Sequence, residues 1–265
     1  MTEETWLPDW DAGLYAANTA HHRVFDEGFL ADTPLRPDLR IVDLGCGAGD
    51  FTRLLADRVP DGEVIGVDPH QGFLDEASTR ARSNQRFARG TGQDLVTALG
   101  GDRFDGIVSR AALQWVPCAE QPRVAEQVRS SLVPGGFFRL DMSGAGNIRL
   151  VLGLLDEVAD TLAGPTSPWC FPDPGWYMEI LEAAGFDLIG GRVRSVAQRR
   201  AFDRDSLWNW LESQVFIAYE ADMDTERRAE FREIVRSRLD ELRRHDGSFD
   251  QTFVRLDVLA RAPGA

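Results

Sequence analysis

The chain contains no lysine at all, and its 29 basic residues are all arginine. Against these stand 43 acidic residues, which leave a formal net charge of -14 at pH 7. Proteins bind nucleic acid and anionic membranes mainly through clustered basic residues, and an acidic chain of this kind is a poor partner for either. We therefore expect no nucleic acid and no membrane among its partners.

Cysteine is scarce as well. The three cysteines, Cys46, Cys118 and Cys170, are an odd number, lie far apart and belong to no CxxC or Cys/His cluster. This spacing argues against a disulfide framework and against a zinc or other metal site, and it suits a reducing cytoplasm. No apolar run is long enough to span a bilayer, and the acidic start MTEETWLPDWDAG has no signal-peptide pattern. We expect a cytoplasmic protein without a bound metal.

Short apolar runs alternate with helical patterns from about residue 38 onward. The runs predict seven strands: Leu39–Leu44, Glu63–Asp68, Arg86–Arg89, Phe104–Ser109, Phe137–Met142, Phe186–Ala197 and Thr252–Ala260. Alternation of strands and helices is typical of crossover connections, and therefore of an α/β protein whose parallel sheet is covered on both faces.

A helical insertion interrupts this pattern in the second half, where two long amphipathic helices are predicted over Asp205–Glu220 and Thr225–Arg244. Such a segment is much longer than an ordinary connection and is typical of a lid. The predicted organisation is an N-terminal helical cover (1–35), a cofactor-binding core (36–142), a lid helix and loop (143–172), a continuation of the core (173–202), a helical lid insertion (203–248) and a final core strand (249–265).

The stretch IVDLGCGAGDFT, residues 41–52, reads as a strand, a glycine turn and a helix start. Glycines at 45, 47 and 49 allow a tight turn and let the backbone approach a ligand closely. In an open parallel sheet, ligands bind outside the carboxyl ends of the strands. Asp68 ends the next predicted strand, where a carboxylate can accept both hydroxyls of a ribose. The pattern predicts a site for a nucleoside-containing cofactor.

Two details select among such cofactors. The glycine spacing is GxGxG followed by Asp50, and not the GxGxxG of dinucleotide sites. Asp43 and Asp50 place negative charge beside the turn, which repels a pyrophosphate and favours an ammonium and a sulfonium. S-adenosylmethionine is the expected cofactor, with its amino-acid end at Asp43 and its ribose on Asp68. A nicotinamide oxidoreductase is the disfavoured alternative.

These residues resemble the class I S-adenosylmethionine-dependent methyltransferases over most of the chain. DLGCGAGDFT is similar to the family's first motif, IGVDPH to its ribose motif, GTGQDL to its adenine segment, FDGIVSRAALQWV to its fourth-strand motif and LVPGGFFRLDM to its fifth-strand motif. Within the family, WDAGLY, ALQWVP and DGSFDQTFVRLDVLARA are most similar to the trans-aconitate methyltransferase-like group.

The resemblance implies a Rossmann-like doubly wound, mostly parallel seven-stranded sheet with a helical lid. It also implies a methyltransferase that moves a methyl group by in-line displacement to a small-molecule acceptor. The cofactor-binding residues it implies are Tyr15, Asp43, Gly45, Cys46, Gly47, Gly49, Asp68, Pro69, Thr91, Gly92, Gln93, Asp94, Ser109 and Arg110. His21, His22 and Trp115 are the candidate catalytic residues, although a surface histidine and a core tryptophan are the plainer interpretations.

Two functions stay open on the sequence alone. The fold and cofactor site also suit a protein that binds S-adenosylmethionine but catalyses another reaction, such as cyclisation, or only binds ligand. Among methyl acceptors, a carboxylate needs no general base but favours an arginine clamp, whereas a phenol, amine or carbon acceptor favours a base such as histidine. The arginines available for a clamp are Arg23, Arg110, Arg149, Arg194 and Arg199.

Overall fold

The computed structural model of the chain describes residues 26–162, 164, 167 and 169–264. Three predicted site residues, Tyr15, His21 and His22, lie outside the described residues, as does most of the predicted N-terminal cover. Elements are numbered from the first helix that is described.

A seven-stranded sheet forms the centre of the fold. Its strands are β1 Arg40–Leu44, β2 Glu63–Asp68, β3 Gln85–Arg89, β4 Phe104–Arg110, β5 Leu132–Ser143, β6 Asp187–Arg200 and β7 Gln251–Arg261. The strand order is β3-β2-β1-β4-β5-β7-β6. Strands β1 to β5 pair in parallel, and β7 pairs antiparallel with β5. This arrangement confirms the predicted mostly parallel sheet.

Helices connect most of these strands. They are α1 Asp26–Ala31, α2 Asp50–Arg58, α3 Gln71–Thr79, α4 Leu95–Ala98, α5 Gln121–Ser130, α6 Arg149–Thr161, α7 Pro174–Ala183, α8 Arg204–Gln214, α9 Phe216–Glu220 and α10 Thr225–Arg238. The helix predicted over 205–220 is wrong as one element, because it breaks at Val215 into α8 and α9. The predicted helix 225–244 ends earlier, since a 3₁₀ turn replaces it over Leu239–Leu242.

Burial of the sheet on both faces explains why β1 and β2 are nearly continuous apolar runs. On one face, Ile41 and Val64 belong to a cluster that includes Phe29 of α1 and Leu55 of α2. On the other face, Val67 lies near Gly90, and that glycine contacts α4. Alternate strand residues thus face different helix layers, which is the arrangement of a doubly wound sheet.

Strand β5 includes Pro134-Gly135-Gly136, although the sequence predicts a strand only from Phe137. Strand β5 already begins at Leu132, which pairs with Phe104 of β4, and the next paired residues are Phe137 and Gly106. Residues 133–136 therefore form a bulge within the strand, with Gly135 at a φ of 77°. A bulge of this kind accommodates extra residues without ending the pairing of the two strands.

An ion-pair cluster ties the last three strands together. Asp257 of β7 binds buried Arg139 of β5, and it accepts hydrogen bonds from Arg192 at 2.7 Å and Arg194 at 2.9 Å on β6. Burial opposes ionisation of Asp257, but Arg139 and Arg192 hold the pKa of its carboxyl below the ordinary value. A buried carboxylate with several guanidinium partners keeps its charge satisfied and fixes the register of the strands that supply them.

Two compact units make up the chain. Among the described residues, the core unit comprises 26–145, Cys170–Val196 and 255–264, and the helical unit comprises those within 146–169 together with Ala197–Val254. Within the helical unit, Trp208 packs edge-on against Phe216, and Tyr219 stacks on Phe231. The Tyr219 hydroxyl donates a 2.7 Å hydrogen bond to Asp156. The domain boundaries and the lid predicted from the sequence stay predictions.

The expectation that the cysteines are unpaired is wrong for two of them. Cys118 and Cys170 form a disulfide across 52 residues of sequence, with 5.0 Å between their Cα atoms. The Cys170 N–H also donates to the Gln114 carbonyl at 2.9 Å, so a backbone bond lies beside the disulfide. Cys46, the third cysteine, is a free buried thiol. The fold brings together two segments whose proximity the sequence spacing did not indicate.

Candidate functional site

The glycine turn lies directly after β1, between that strand and α2. Gly45, Gly47 and Gly49 have φ angles of 79°, 51° and 80°, all in the left-handed region that favours glycine. The N–H groups of Gly45 and Cys46 donate to the Val67 carbonyl at 2.7 and 3.1 Å. The turn is therefore fixed to the end of β2, and its shape depends on glycine at three positions.

The three glycines have different surroundings. A Cβ at Gly45 would collide with the methyl group of Ala112, and one at Gly49 would lie 2.9 Å from the Ala77 methyl group. Among the described residues other than its two chain neighbours, none has an atom within 4 Å of a Cβ placed on Gly47. Packing thus requires the outer glycines, while the middle one faces open space where a ligand can approach bare backbone. This cradle fits the amino-acid end of S-adenosylmethionine.

Asp68 ends β2 and turns its carboxylate toward the glycine turn. One oxygen accepts a 2.9 Å hydrogen bond from the Gly47 N–H, and the other accepts a 2.9 Å bond from the His70 N–H. The residue is 7% exposed. Each carboxylate oxygen has a further lone pair. The Asp68 carboxylate can therefore accept hydrogen bonds from two hydroxyls in addition to those from the two amides. This pair of acceptor oxygens fits the hydroxyls of a ribose.

Asp43 is almost fully buried behind the turn, at 2% exposure. Its carboxyl accepts a 2.7 Å hydrogen bond from the Thr52 hydroxyl. Burial raises the pKa of Asp43 to about 7, the Thr52 bond opposes the rise, and the negative charge of Asp68 adds to it. Asp43 thus connects β1 to α2 through Thr52, which the sequence analysis did not single out. A direct contact between Asp43 and the cofactor stays a prediction.

The other charged and polar groups of the turn are also engaged. Asp50 pairs with Arg53 and lies 3.6 Å from Arg80, so its negative charge is partly compensated. The Cys46 thiol is 7% exposed, and burial raises its pKa well above the ordinary value. At neutral pH the thiol is therefore uncharged, and it is inert as a nucleophile.

The predicted adenine segment forms a short 3₁₀ turn over Gly92–Asp94. The Asp94 carboxylate accepts 2.7 Å hydrogen bonds from the N–H and from the hydroxyl of Thr91. Gly92 is buried against Val124 of α5, while the Gln93 carbonyl accepts a bond from a side chain of that helix. Thr91 and Asp94 thus stabilise the turn, and their contact with adenine stays a prediction. A contact between the cofactor and Pro69, which belongs to the predicted ribose motif, also stays a prediction.

Two predicted cofactor residues end β4. The Ser109 hydroxyl is buried and donates to the Leu44 carbonyl at 2.8 Å, which joins the tips of β4 and β1. The Arg110 guanidinium pairs with Asp26 of α1 and lies 5.4 Å from the centre of the Phe51 ring. Burial lowers the pKa of Arg110 to about 10, and the charge of Asp141 opposes that change. These contacts place Arg110 among buried groups of the core unit.

The segment after β4, residues 111–120, is called the post-β4 loop here. Ala111 has a φ of 53°, a left-handed conformation that is uncommon for a residue with a side chain. The Gln114 side-chain amide donates to the Ala111 carbonyl at 2.6 Å. Trp115, the predicted catalytic tryptophan, lies partly buried in this loop. Trp115 belongs to a motif that the sequence shows, whereas no local pattern marks Ala111 and Gln114, which are joined by a hydrogen bond in the same loop.

The structure brings most of the predicted cofactor residues to one edge of the sheet. Gly47 of the glycine turn donates to Asp68 at the end of β2, and Asp43 of β1 accepts a separate bond from Thr52 of α2. Residues 91–94 come shortly after the end of β3, and Ser109 lies near the end of β4. Across residues 26–162 and 169–264, no group of three or more His, Cys, Asp or Glu side chains is placed to hold a metal ion. None of the helices in that part of the chain has the length and apolarity for a bilayer span.

Comparison with known proteins assigns the chain to a family. A family model described as a methyltransferase domain matches residues 41–136. The trans-aconitate 2-methyltransferase of Deinococcus radiodurans is 30% identical over 246 residues, which cover 89% of this chain and 90% of the relative. The enzyme of the same name from Methylobacterium radiotolerans is 28% identical over 279 residues, with 96% and 99% covered.

A solved structure shows that the fold is shared as well. The YcgJ protein of Bacillus subtilis superposes with a TM-score of 0.62 at 18% identity, covering 92% of this chain and all of that chain. The matches confirm the predicted Rossmann-like fold and S-adenosylmethionine as the cofactor. The chain therefore belongs to the class I S-adenosylmethionine-dependent methyltransferases, in the group that is similar to the trans-aconitate methyltransferases.

Proposed function

We propose that this methyltransferase esterifies one carboxylate of a small polycarboxylic acid. The support is that its relatives from Deinococcus radiodurans and Methylobacterium radiotolerans, both matched over most of their length, are named for a tricarboxylic acid. Methylation of a small-molecule acceptor is common to the group. The proposal adds that the acceptor of this protein is a polycarboxylic acid, and this part requires an experiment.

In this proposal, the glycine turn and Asp68 are the main residues that bind the cofactor. The single observation that carries this assignment is the open cradle at Gly47, whose N–H is held by the Asp68 carboxylate at 2.9 Å. Asp68 would take the ribose hydroxyls, and the turn would approach the amino-acid end. When bound, S-adenosylmethionine supplies a methyl group that its positive sulfur has already activated.

The chain's own contribution to methyl transfer is alignment and exclusion of water. Transfer is an in-line displacement in which an oxygen of the acceptor forms a bond to the methyl carbon while the carbon–sulfur bond breaks. A carboxylate is already deprotonated at neutral pH, so the chain has no proton to remove. Correct alignment of the reacting groups can account for several kcal/mol of the barrier.

The arginines considered for a carboxylate clamp are mostly engaged within the chain. Arg110 pairs with Asp26, Arg194 with Asp257, and Arg199 with Asp246 and Asp250. An acceptor carboxylate would have to compete with these acids for the same guanidinium groups. His21 and His22 stay candidate bases only for acceptors that carry a proton.

Transfer of labelled methyl groups tests the proposed acceptor. Purified protein is incubated with S-adenosylmethionine carrying a radiolabelled methyl group and with one of a panel of small acids, amines, phenols and thiols. We expect label in a polycarboxylic acid, as a methyl ester that alkali cleaves. Label that appears only in an amine, phenol or thiol would show that the acceptor class is wrong.

Replacement of Asp68 tests the cofactor site. We expect Asp68→Asn to weaken the binding of S-adenosylhomocysteine by roughly 10- to 100-fold, because a charged acceptor of hydroxyl hydrogen bonds becomes a neutral amide. Isothermal titration calorimetry measures this affinity. Asp61→Asn is the control, because Asp61 is an exposed aspartate outside the site. Equal affinities for the two variants would remove Asp68 from the proposal.

The cytoplasmic location stays a prediction. The disulfide between Cys118 and Cys170 removes the argument from cysteine spacing on which part of that prediction depended.

A further inference from the structure

We propose that Gln114 is a positioning residue for methyl transfer, which holds the post-β4 loop in a strained conformation against the glycine turn. The loop, residues 111–120, leaves the carboxyl end of β4 beside β1, the edge of an open parallel sheet at which ligands bind. The inference rests on the proposed carboxylate acceptor for its kinetic measurements only.

The strain lies at Ala111, the first residue of the loop. Its φ of 53° brings the Cβ of an L-residue close to its own backbone, and such residues persist only where their surroundings hold them. The Ala111 N–H donates to the Asp141 carbonyl of β5 at 2.7 Å. Strain of this kind is concentrated at functional sites, since a relaxed loop would not keep the required geometry.

The strained conformation has a direct consequence for the cofactor site. It directs the next residue, Ala112, onto the glycine turn, where its methyl group occupies the space that a Cβ on Gly45 would need. The loop and the turn are therefore in contact through Ala112 and Gly45. A change in the loop conformation would alter the wall beside the cofactor cradle without changing Asp68.

Gln114 provides the side-chain hydrogen bond that holds Ala111. The side-chain Nε2 of Gln114 donates to the Ala111 carbonyl at 2.6 Å. The backbone carbonyl of Gln114 accepts a hydrogen bond from the Cys170 N–H at 2.9 Å. The Gln114 side chain thus fixes the start of the loop. The Gln114 backbone is bonded to Cys170, whose sulfur forms the disulfide with Cys118. Gln121 fixes the middle through bonds from its Nε2 to the carbonyls of Leu113 and Val116.

Stability alone does not account for a glutamine at this position. Gln114 is 8% exposed, and its Oε1 is buried without a hydrogen-bond partner among the described residues. A buried amide that leaves its oxygen unsatisfied costs about 1–3 kcal/mol, and an apolar side chain of the same shape would remove that cost while losing the bond to Ala111, which contributes about 1 kcal/mol. A residue that weakens the fold but holds a strained loop is expected where geometry matters for the reaction.

The first variant is Gln114→Met, which keeps the length of the side chain and removes both polar groups. We expect kcat/KM for the acceptor to fall by roughly 10- to 100-fold, because a displacement of about 1 Å near the reacting groups costs that much. The affinity for S-adenosylhomocysteine should stay within about 3-fold, since Asp68 and Gly47 are untouched. The chemical denaturation midpoint should change little, because loss of the bond to Ala111 is opposed by removal of the unsatisfied Oε1. Gln127→Met is the matched control, because the Gln127 side chain binds the Val96 N–H outside the loop.

The second variant, Gln114→Glu, adds a pH profile that a merely structural role would not produce. A protonated glutamic acid can donate to the Ala111 carbonyl as the amide does, whereas the ionised form cannot. Burial raises the pKa of such a carboxyl group above its ordinary value, so the bond to Ala111 is kept at low pH and is lost as pH rises through that pKa. We expect kcat/KM relative to wild type to be highest at low pH and to decline as pH rises.

A third variant tests strain directly. Glycine adopts a φ of 53° without cost, so Ala111→Gly placed in the Gln114→Met protein should restore part of the lost kcat/KM. The inference is overturned if Gln114→Met retains the wild-type kcat/KM, or if the Gln114→Glu ratio to wild type does not vary with pH.

The wild-type protein in the same assay separates this inference from the proposed acceptor. If the wild type methylates no carboxylic acid, the acceptor proposal fails and the loop is tested by amide hydrogen–deuterium exchange with S-adenosylhomocysteine bound. We then expect faster exchange across residues 111–121 in Gln114→Met than in wild type or Gln127→Met. Equal exchange in all three proteins would overturn the role of Gln114.

Discussion

Asp43 shows how one buried side chain can link pH to the stability of a ligand site. The pKa of its carboxyl is raised to about 7 in the folded chain from an ordinary value of 3.8, chiefly by burial. The native state therefore binds an extra proton between these two values. The contribution of Asp43 to stability is fully present below about pH 4, declines as pH rises toward 7 and is lost above it.

Thr52→Val tests this assignment, because valine keeps the shape of threonine and removes the hydroxyl that binds Asp43 at 2.7 Å. Loss of a hydrogen bond to a charged group costs roughly 1.5–3 kcal/mol, and loss of one to a neutral group about 1 kcal/mol. We expect the variant to lose more free energy of unfolding at pH 8 than at pH 5, measured by urea denaturation.

Thr97→Val is the control for that experiment, since Thr97 is exposed on α4 and should change stability by less than about 0.5 kcal/mol at either pH. A loss for Thr52→Val that is the same at pH 5 and pH 8 would show that Asp43 does not ionise in this range.

At the scale of elements, the disulfide joins the post-β4 loop to the segment before α7. Cys118 is exposed, whereas Cys170 is 1% exposed, so one sulfur lies at the surface and the other is buried. A cross-link over 52 residues restricts the unfolded chain, and such links contribute roughly 2–4 kcal/mol. The link lies beside the backbone bond from Cys170 to Gln114, and we expect it to stabilise the loop as well as the fold.

Cys118→Ser and Cys170→Ser should each lose this stabilisation in full, and the double variant should lose little more than either single variant. Urea denaturation of the three variants and of the wild type, with and without dithiothreitol, measures the losses. The wild type in reductant should match the variants. Losses that add in the double variant would mean that the two sulfurs act separately.

At the scale of the whole molecule, ligand binding should stabilise the core unit because the glycine turn continues from β1 and is hydrogen-bonded to the end of β2. A ligand that binds only the folded chain raises the free energy of unfolding by about 2.7 kcal/mol at a concentration 100 times its Kd. We expect S-adenosylmethionine and S-adenosylhomocysteine to raise the melting temperature, while reduced nicotinamide dinucleotide has no effect. Stabilisation by the dinucleotide would contradict the cofactor assignment.

Much of the core unit could be predicted because its signals are local. The strand β2 was predicted with its observed bounds, and the glycine turn and Asp68 were found from a short run of residues and the end of the next strand. Each depends on backbone conformation or on apolar periodicity, which neighbouring residues determine. The break at Val215 was missed because the apolar pattern continues through it.

The sequence by itself determined the fold class and the cofactor, and it predicted the edge of the sheet for cofactor binding, since glycines, strand ends and acidic residues act through local geometry and charge. Only the tertiary structure decided that Cys118 meets Cys170, that Thr52 binds Asp43 and that Gln114 holds a strained Ala111. Those contacts depend on which strands become neighbours and on which side chains burial forces together. No spacing along the chain encodes such distances, because they arise only when the sheet and its helices have packed.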